Sequence, residues 1–234
     1  MKIRLKFKKY GSMIFIGHLD ILRYFQKAMR RANIDIAYSE GFSPHQIMSF
    51  AAPLGVGIYS NGDYYDIEAH STGTSEEMLA AINEQMAEGI EVIEARILPD
   101  NATNAMASVA ASRYTIRFRE GHEPEFDYKA ELAGFYAKET ITILKKTKKG
   151  EAELNLKQFI YELYLDENGN IGMLVDSSSS GNIKPRLVME AFYAAHGKTP
   201  GEFDFIVTRE DTYGNIGTAE HPVFVPLGAV GVEF

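Results

Sequence analysis

Gly17-His18-Leu19-Asp20-Ile21-Leu22-Arg23-Tyr24-Phe25-Gln26-Lys27-Ala28-Met29-Arg30-Arg31 leads through Tyr38-Ser39-Glu40-Gly41-Phe42-Ser43-Pro44-His45-Gln46 into Ser49-Phe50-Ala51-Ala52-Pro53-Leu54-Gly55-Val56-Gly57. At about 100° per residue, Ile21, Leu22, Phe25, Ala28, Met29 and Ala32 share one side of a helix, and Arg23, Lys27, Arg30 and Arg31 share the other. The stretch predicts a helix over 18–33 whose inner face packs and whose outer face is a cationic ridge. In the loop beyond it, Gly41, Gly55 and Gly57 are expected to serve tight backbone conformations, with Pro44 and Pro53 fixing the flanks.

Working outward, residues 2–9 alternate Ile3, Leu5 and Phe7 with Lys2, Arg4, Lys6 and Lys8, the period of a half-buried strand. Its basic side suits either a phosphate-facing surface or the solvated side of an edge strand, where lysines discourage further pairing. A second strand is expected to begin over 34–38. Strands at 47–50 and 64–68 are expected on either side of a turn at Ser60-Asn61-Gly62-Asp63. Thr74-Ser75-Glu76-Glu77 has the spacing of a capping box for a helix through residue 86, and 90–98 reads as a strand. Strand, helix, strands, helix, strand is the order of a split β-α-β unit, with two helices on one sheet face and the other face open.

The second half repeats the plan with an insertion. Strands are expected at 113–119, 140–147 and 203–209, and helices at 126–138 and 185–196, the latter with Leu187, Val188, Ala191, Phe192 and Ala195 inward and Pro185 in its first turn. Glu167-Asn168-Gly169-Asn170 signals a hairpin, and Lys145-Lys146-Thr147-Lys148-Lys149-Gly150 a basic turn. The expected fold class is α+β: two ferredoxin-like (split β-α-β) α/β sandwich domains with antiparallel sheets. They would span 1–99 and 113–212, joined by a linker over 100–112 and followed by a tail over 213–234.

The 234 residues can bury a sizeable core, and no apolar run approaches the roughly 18 residues of a spanning helix. A cytoplasmic protein with no membrane association is expected. The absence of cysteine agrees with a reducing compartment and excludes a thiolate-held iron–sulfur cluster, a cysteine nucleophile and a Cys-type zinc site. Of the net charge of −8, residues 1–50 carry +6, from nine Lys/Arg against three Asp/Glu, which leaves −14 for 51–234. A basic lobe of that kind concentrates phosphates locally, because screening beyond about 10 Å hides the distant acidic surface.

Gly17-His18-Leu19-Asp20, the loop from Tyr38 to His45, Ser49-Phe50-Ala51, Pro53-Leu54-Gly55-Val56-Gly57 and Tyr65-Asp66-Ile67-Glu68 together resemble the radical SAM-linked protein family. That is a bacterial domain of unknown function found beside, or fused to, radical SAM proteins with a cobalamin-binding region. The resemblance continues through Lys149-Gly150, Leu154-Asn155-Leu156-Lys157, Lys184-Pro185-Arg186 and Thr208-Arg209, with Asn155 and Lys157 standing where the family commonly has Asp and Arg. It implies a radical SAM protein as partner, and genes beside ribosomal-protein and ribonuclease genes imply a connection to RNA. Lacking the three thiolates of a radical SAM cluster, this chain would be an accessory subunit without a cofactor of its own.

Two sets of residues carry candidate chemistry. His18, Asp20, Glu40 and His45 would form an acid/base pair or a weak N/O metal site if helix start and loop converge; apart, His18 is a satisfied core histidine and Asp20 suits the helix N-terminus. Arg23, Lys27, Arg30, Arg31, Lys145, Lys146, Lys148 and Lys149 would contact RNA phosphates, with Tyr38 or Phe42 stacking on bases. Phe50 suits stacking or the core equally. Glu68-Ala69-His70-Ser71-Thr72-Gly73 only approximates a cobalamin-ligating motif, and Ser177-Ser178-Ser179-Ser180-Gly181 lacks the Gly-Lys-Ser/Thr of a phosphate loop. The leading expectation is an accessory RNA-binding module for tRNA or rRNA modification or processing. The alternatives are a metal-independent endoribonuclease, resembling the double-ferredoxin CRISPR-repeat processing nucleases, with His18 or His45 as general base, and a subunit that only docks the radical SAM chain.

Overall fold

The alternating strand at the N-terminus lies inside a sheet, not at its edge. The computed structural model describes residues 1–147 and 150–234, and side chains outside 144–152. In chain order the elements are β1 (Lys2–Lys9), α1 (His18–Arg31), β2 (Met48–Phe50), β3 (Tyr59–Glu68), α2 (Ser75–Asn83), β4 (Ile90–Ile97), α3 (Ala105–Ser108), β5 (Ala111–Phe118), α4 (Tyr128–Tyr136), β6 (Thr142–Thr147), β7 (Gly150–Asn155), β8 (Ile160–Leu165), β9 (Ile171–Asp176), α5 (Pro185–Ala194), β10 (Phe205–Asn215) and β11 (Phe224–Pro226). The protein is mixed α/β with mostly antiparallel strands, and five α-helices fall among the described residues. It divides into two compact units, Met1–Ala110 with Arg209–Phe234, and Ala111–Thr208.

In the first unit β1 pairs antiparallel with both β3 and β4, and β2 adds to β3. Ile3, Leu5 and Phe7 share a core with Ile21, Phe25 and Met29 of α1, Met78 and Ile82 of α2, and Tyr65 and Ile67 of β3. The buried side of α1 matches the helical wheel at Ile21, Phe25, Ala28 and Met29, while Leu22 and Ala32 are half-buried. The helix ends where Asn33 turns left-handed at φ 53°, a conformation asparagine tolerates, and the Ile34 amide reaches back to the Met29 carbonyl at 3.1 Å. At α2 the capping box is complete: Thr74 Oγ1 accepts from the Glu77 amide at 3.2 Å, and Glu77 Oε2 accepts from the Thr74 amide at 2.9 Å. Thr74→Ala is expected to cost about 1 kcal/mol, read as a lowered denaturation midpoint at unchanged slope. An unaltered midpoint would show that α2 is held by packing alone.

Five expectations are corrected here. β1 has neighbours on both sides, so it is no edge strand, and Arg4 is 1% exposed instead of solvated. The sheet face opposite the helices is not open, because Ala105, Val109 and Leu227 cover Tyr64 on it. Ser60-Asn61-Gly62-Asp63 makes no turn; β3 continues through it, with a shift of register against β1 between Ser60 and Asp63. Gly62 serves close strand packing there, since a Cβ would lie 2.6 Å from the Glu210 carbonyl oxygen. Residues 34–38 form only isolated bridges, Ile36 to Ala69 and Tyr38 to Gln46. The C-terminal residues belong to the first unit: Val232 bridges Ile97, and the Phe234 carbonyl accepts from the Ser75 amide at 2.7 Å. The expected end of a second domain at 212 and the separate tail over 213–234 are therefore replaced by a second unit that stops at Thr208.

In the second unit β5, β9 and β8 are successive antiparallel neighbours, and β6 pairs β7. α4 and α5 contribute Leu132, Phe135, Val188 and Phe192 to a core with Ile116 and Met173. The β8–β9 hairpin turns at the asparagine-glycine signal, with Gly169 at φ 78°. Asn155 Oδ1 accepts from the Ile141 and Lys157 amides at 3.1 and 3.0 Å, an acceptor role that aspartate would fill equally.

Candidate nucleic-acid interface

The outer face of α1 is uncovered. Arg23, Lys27, Arg30 and Arg31 are exposed. Arg23 Nη1 donates to Asp20 Oδ1 at 3.2 Å with both side chains mostly in solvent, a pair worth little to stability. Arg31 Nη2 donates to the Gln85 carbonyl at 3.0 Å, which anchors its guanidinium beside the end of α2. Among the described residues the side chains of Lys27 and Arg30 have no ion-pair or hydrogen-bond partner, so their charge is available to a ligand. The lysine side chains 145 and 146, and Lys148 and Lys149 entirely, lie outside the described residues.

The loop after α1 is pinned at its base and open at its tip. Ser39 donates its amide to the His45 carbonyl at 2.8 Å, and its hydroxyl accepts from the His45 amide at 3.1 Å and lies 2.8 Å from His45 Nδ1. Gly41, at φ 109°, takes a backbone conformation that side-chain-bearing residues rarely adopt, and Gly57 at φ 81° does the same beyond it; Gly55 has no such need. Phe42 stands at the tip wholly exposed, and Tyr38 is half-exposed, its phenol accepting from Gln46 Nε2 at 3.4 Å. Phe50 is a core residue, 6% exposed and stacked on Tyr65 at 5.3 Å, which removes it from the candidates for base stacking. Beside the loop base runs a groove of about 330 Å³ lined by Lys2, His45, Ser49, Asp66, Glu68 and Asn104, among others.

His18, Asp20, Glu40 and His45 do not converge. Asp20, Glu40 and His45 are exposed, while His18 is half-buried with its ring edge-on to Phe50 at 5.5 Å. Among the described residues no three histidine or carboxylate side chains are placed to hold a metal ion. The physical reason is direction: the start of α1 aims His18 into the sheet end beside Lys9 and Asp63, whereas the closed loop folds His45 back on Ser39. Burial, reinforced by the Lys9 charge and opposed by Asp63, holds the His18 imidazole below its ordinary pKa and favours the neutral form.

The charged groups that the alternating pattern hid are buried ion pairs. Arg4 clamps Asp66 through Nε–Oδ1 at 2.8 Å and Nη2–Oδ2 at 2.9 Å, and its remaining donors reach the Leu227 and Thr103 carbonyls at 3.1 and 3.3 Å. Arg209 Nη1 donates to Asp63 Oδ1 at 2.5 Å and to the Ala52 carbonyl at 3.1 Å. Lys6 Nζ reaches Asp211 at 2.8 Å, and the Tyr64 hydroxyl donates to the same carboxylate at 2.8 Å; burial, then the Asp211 charge, pushes the Tyr64 phenol well up. The signal in sequence was the pairing in kind: Arg4 and Lys6 on β1 answer Asp66 on β3 and Asp211 on β10, and Arg209 on β10 answers Asp63 on β3.

A family model described as "Uncharacterized protein conserved in bacteria (DUF2344)" matches residues 2–185. No curated protein matches the chain. Among solved structures, a chain described as "Crystal Structure of a Cbf5-Nop10-Gar1 Complex" is similar over 90% of this chain and 48% of its own, at 8% identity and a TM-score of 0.46. The present chain thus spans about half the length of that one. A likeness of that size carries no argument about function.

Proposed function

This chain belongs to DUF2344, a family of uncharacterized proteins conserved in bacteria, and from that premise we propose that it is an accessory module that binds RNA and positions it for a radical SAM enzyme. The observation that carries the reading is Phe42, wholly exposed at the tip of a hydrogen-bonded loop in the unit whose α1 presents the Lys27 and Arg30 side chains, which have no partner among the described residues. A phenylalanine left in water forgoes about 1.5–3 kcal/mol of burial, and the pinned loop base means little order is lost when a base stacks on it. The cationic ridge supplies sequence-independent phosphate contacts; the aromatic supplies a platform that any base fits. With no cysteine in the chain, the cluster for a radical step belongs to a partner protein, and tRNA or rRNA is the substrate class the reading favours. Each unit is read as a variant of the ferredoxin-like plan, the first through its sheet order β4-β1-β3 with α1 and α2 packed on one side.

The test is fluorescence anisotropy with single-stranded RNA across a salt series. Affinity is expected to fall steeply with salt, and Lys27→Glu with Arg30→Glu should reduce the logarithmic slope by about 0.7 for each phosphate the ridge no longer neutralises. Phe42→Ala should cost about 1–3 kcal/mol of binding while leaving that slope unchanged. Salt-insensitive binding, or none, removes the RNA reading. Capture of a radical SAM protein that survives reversal of the ridge but is abolished by Phe42→Ala would instead favour a docking subunit. The nuclease alternative has less support, since His18 and His45 have different surroundings; RNA cleavage surviving His18→Ala combined with His45→Ala would eliminate it.

A further inference from the structure

The sheet face covered by α3 and Leu227 is left open at one end, and strand register fixes which side chains stand there. Lys2 on β1 lies directly opposite Glu68 on β3, one step of the alternation beyond Arg4 and Asp66, and Ser49 on β2 lies opposite Asp66 from the other side of β3. All five project from the same face. Arg4 and Asp66 are buried, and their hydrogen bonds go to each other and to the Leu227 and Thr103 carbonyls. Beyond them the cover stops. Lys2, Glu68 and Ser49 are half-buried and line the groove of about 330 Å³, together with Asn104 and the loop base at Ser39 and His45.

Two opposite charges face each other across this groove without pairing. Directly opposed residues on antiparallel strands have Cβ atoms about 5 Å apart, within reach of an ion pair. Among the described residues, however, the Lys2 ammonium and the Glu68 carboxylate have no hydrogen-bond or ion-pair partner. The Ser49 hydroxyl has none either, and Asn104, whose Oδ1 accepts from the Ala107 amide at 2.9 Å, keeps its Nδ2 hydrogens free. The groove therefore offers a cationic donor, an anionic acceptor, an amide donor and a hydroxyl, beside apolar Ile47 and Met48. An anion would meet Glu68 and a cation Lys2, so the charges together favour a neutral ligand with donors and acceptors on one edge. The volume lies at the small end of the roughly 300–1,000 Å³ of ligand pockets and suits one flat ring system.

We infer that this groove takes a guanine base. Of the four RNA bases, guanine alone presents two adjacent N–H donors on its pairing edge, a match for one carboxylate, and beside them the O6 and N7 acceptors that a lysine reads. Glu68 accepts from the two donors, Lys2 donates to O6 and N7, and Asn104 and Ser49 supply further polar contacts at the rim. Single-stranded RNA and a free guanine nucleotide carry the same base. The first source deepens the RNA reading and rests on it, since the loop whose base borders the groove carries Phe42 at its tip; the groove itself does not.

The experiment titrates the isotopically labelled full chain with the four nucleoside 5′-monophosphates and follows amide resonances by NMR. Their phosphate is common, so differences among them read the base. Saturable shifts at Lys2, Ser49 and Glu68 are expected with the guanine nucleotide, at about tenfold or more higher affinity than with the adenine nucleotide, the scale of one bidentate base contact. The hypoxanthine nucleotide, which lacks the exocyclic amine, should bind more weakly than the guanine one. Glu68→Gln should abolish the preference while the spectrum away from the groove is unchanged, because the replaced carboxylate had no described partner. If that variant does not fold, the wild-type titration decides: equal shifts with all four nucleotides, or shifts that do not saturate, overturn the site. Oligouridine with and without a single guanosine then separates the sources. A preference for the guanosine-bearing strand that is lost in Glu68→Gln at unchanged salt slope assigns the site to RNA, and no such preference assigns it to the free nucleotide. Unchanged RNA affinity in Lys27→Glu/Arg30→Glu would sink the RNA reading and leave the nucleotide result standing, whereas salt-dependent RNA binding with no preference among the nucleotides would sink the guanine site alone.

Discussion

Replacing Asp66 with alanine is expected to destabilise the first unit by about 3–5 kcal/mol, the cost of breaking a buried ion pair from one side. Arg4 is 1% exposed and spends two of its nitrogens on the Asp66 carboxylate. Without that acceptor a guanidinium remains inside the sheet with only the Leu227 and Thr103 carbonyls for partners. At roughly 2–4 °C per kcal/mol for a protein of this length, the melting midpoint should fall by about 6–20 °C. Arg4→Met combined with Asp66→Leu should recover much of the stability, since apolar residues of similar volume replace a buried pair at little cost. Recovery will be incomplete, because the two carbonyls lose their donor. A change within 1 kcal/mol for Asp66→Ala alone would mean that water reaches the pair and that the covering by Leu227 and Ala105 is loose.

Phe25→Ala should cost a similar amount, about 3–5 kcal/mol, through reduced burial and the cavity left behind. The ring is fully buried and meets Phe7, Tyr65 and Phe50 at centroid distances of 4.9, 4.7 and 5.6 Å. All three neighbours lie on strands, so the substitution acts on the seating of α1 against the sheet. Unfolding by denaturant measures it; a cost no larger than that of a single methylene would show that α1 is not held by this ring. Because the cationic ridge is on the opposite side of the same helix, the salt slope for RNA should be unchanged in whatever protein remains folded. That separation distinguishes a packing defect from a charge effect.

What could be read in the sequence was local in its physics. The two faces of α1 depend only on residues three and four apart, the capping box on residues 74 and 77, and the β8–β9 turn on adjacent asparagine and glycine. Phe42 between Gly41 and Ser43 was legible for the same reason: no neighbour in the chain could cover it, and none does. The separation of His18 from His45 was not legible, because it depends on how a helix start and a loop approach each other. The buried charges were hidden as well, since Lys2, Arg4, Lys6 and Lys8 alternate just as a solvated strand face does.

By itself the sequence determined where β1, α1, α2, β4, α4 and α5 lie, and which side of α1 meets water. The placement of β1 between two strands, the covering of its basic face by the C-terminal residues, and the pairing of Arg4 with Asp66 were decided by tertiary structure alone. The reason is that periodicity records only the direction a side chain points. What it meets there, water or a carboxylate far along the chain, depends on approaches between distant segments that local spacing does not encode.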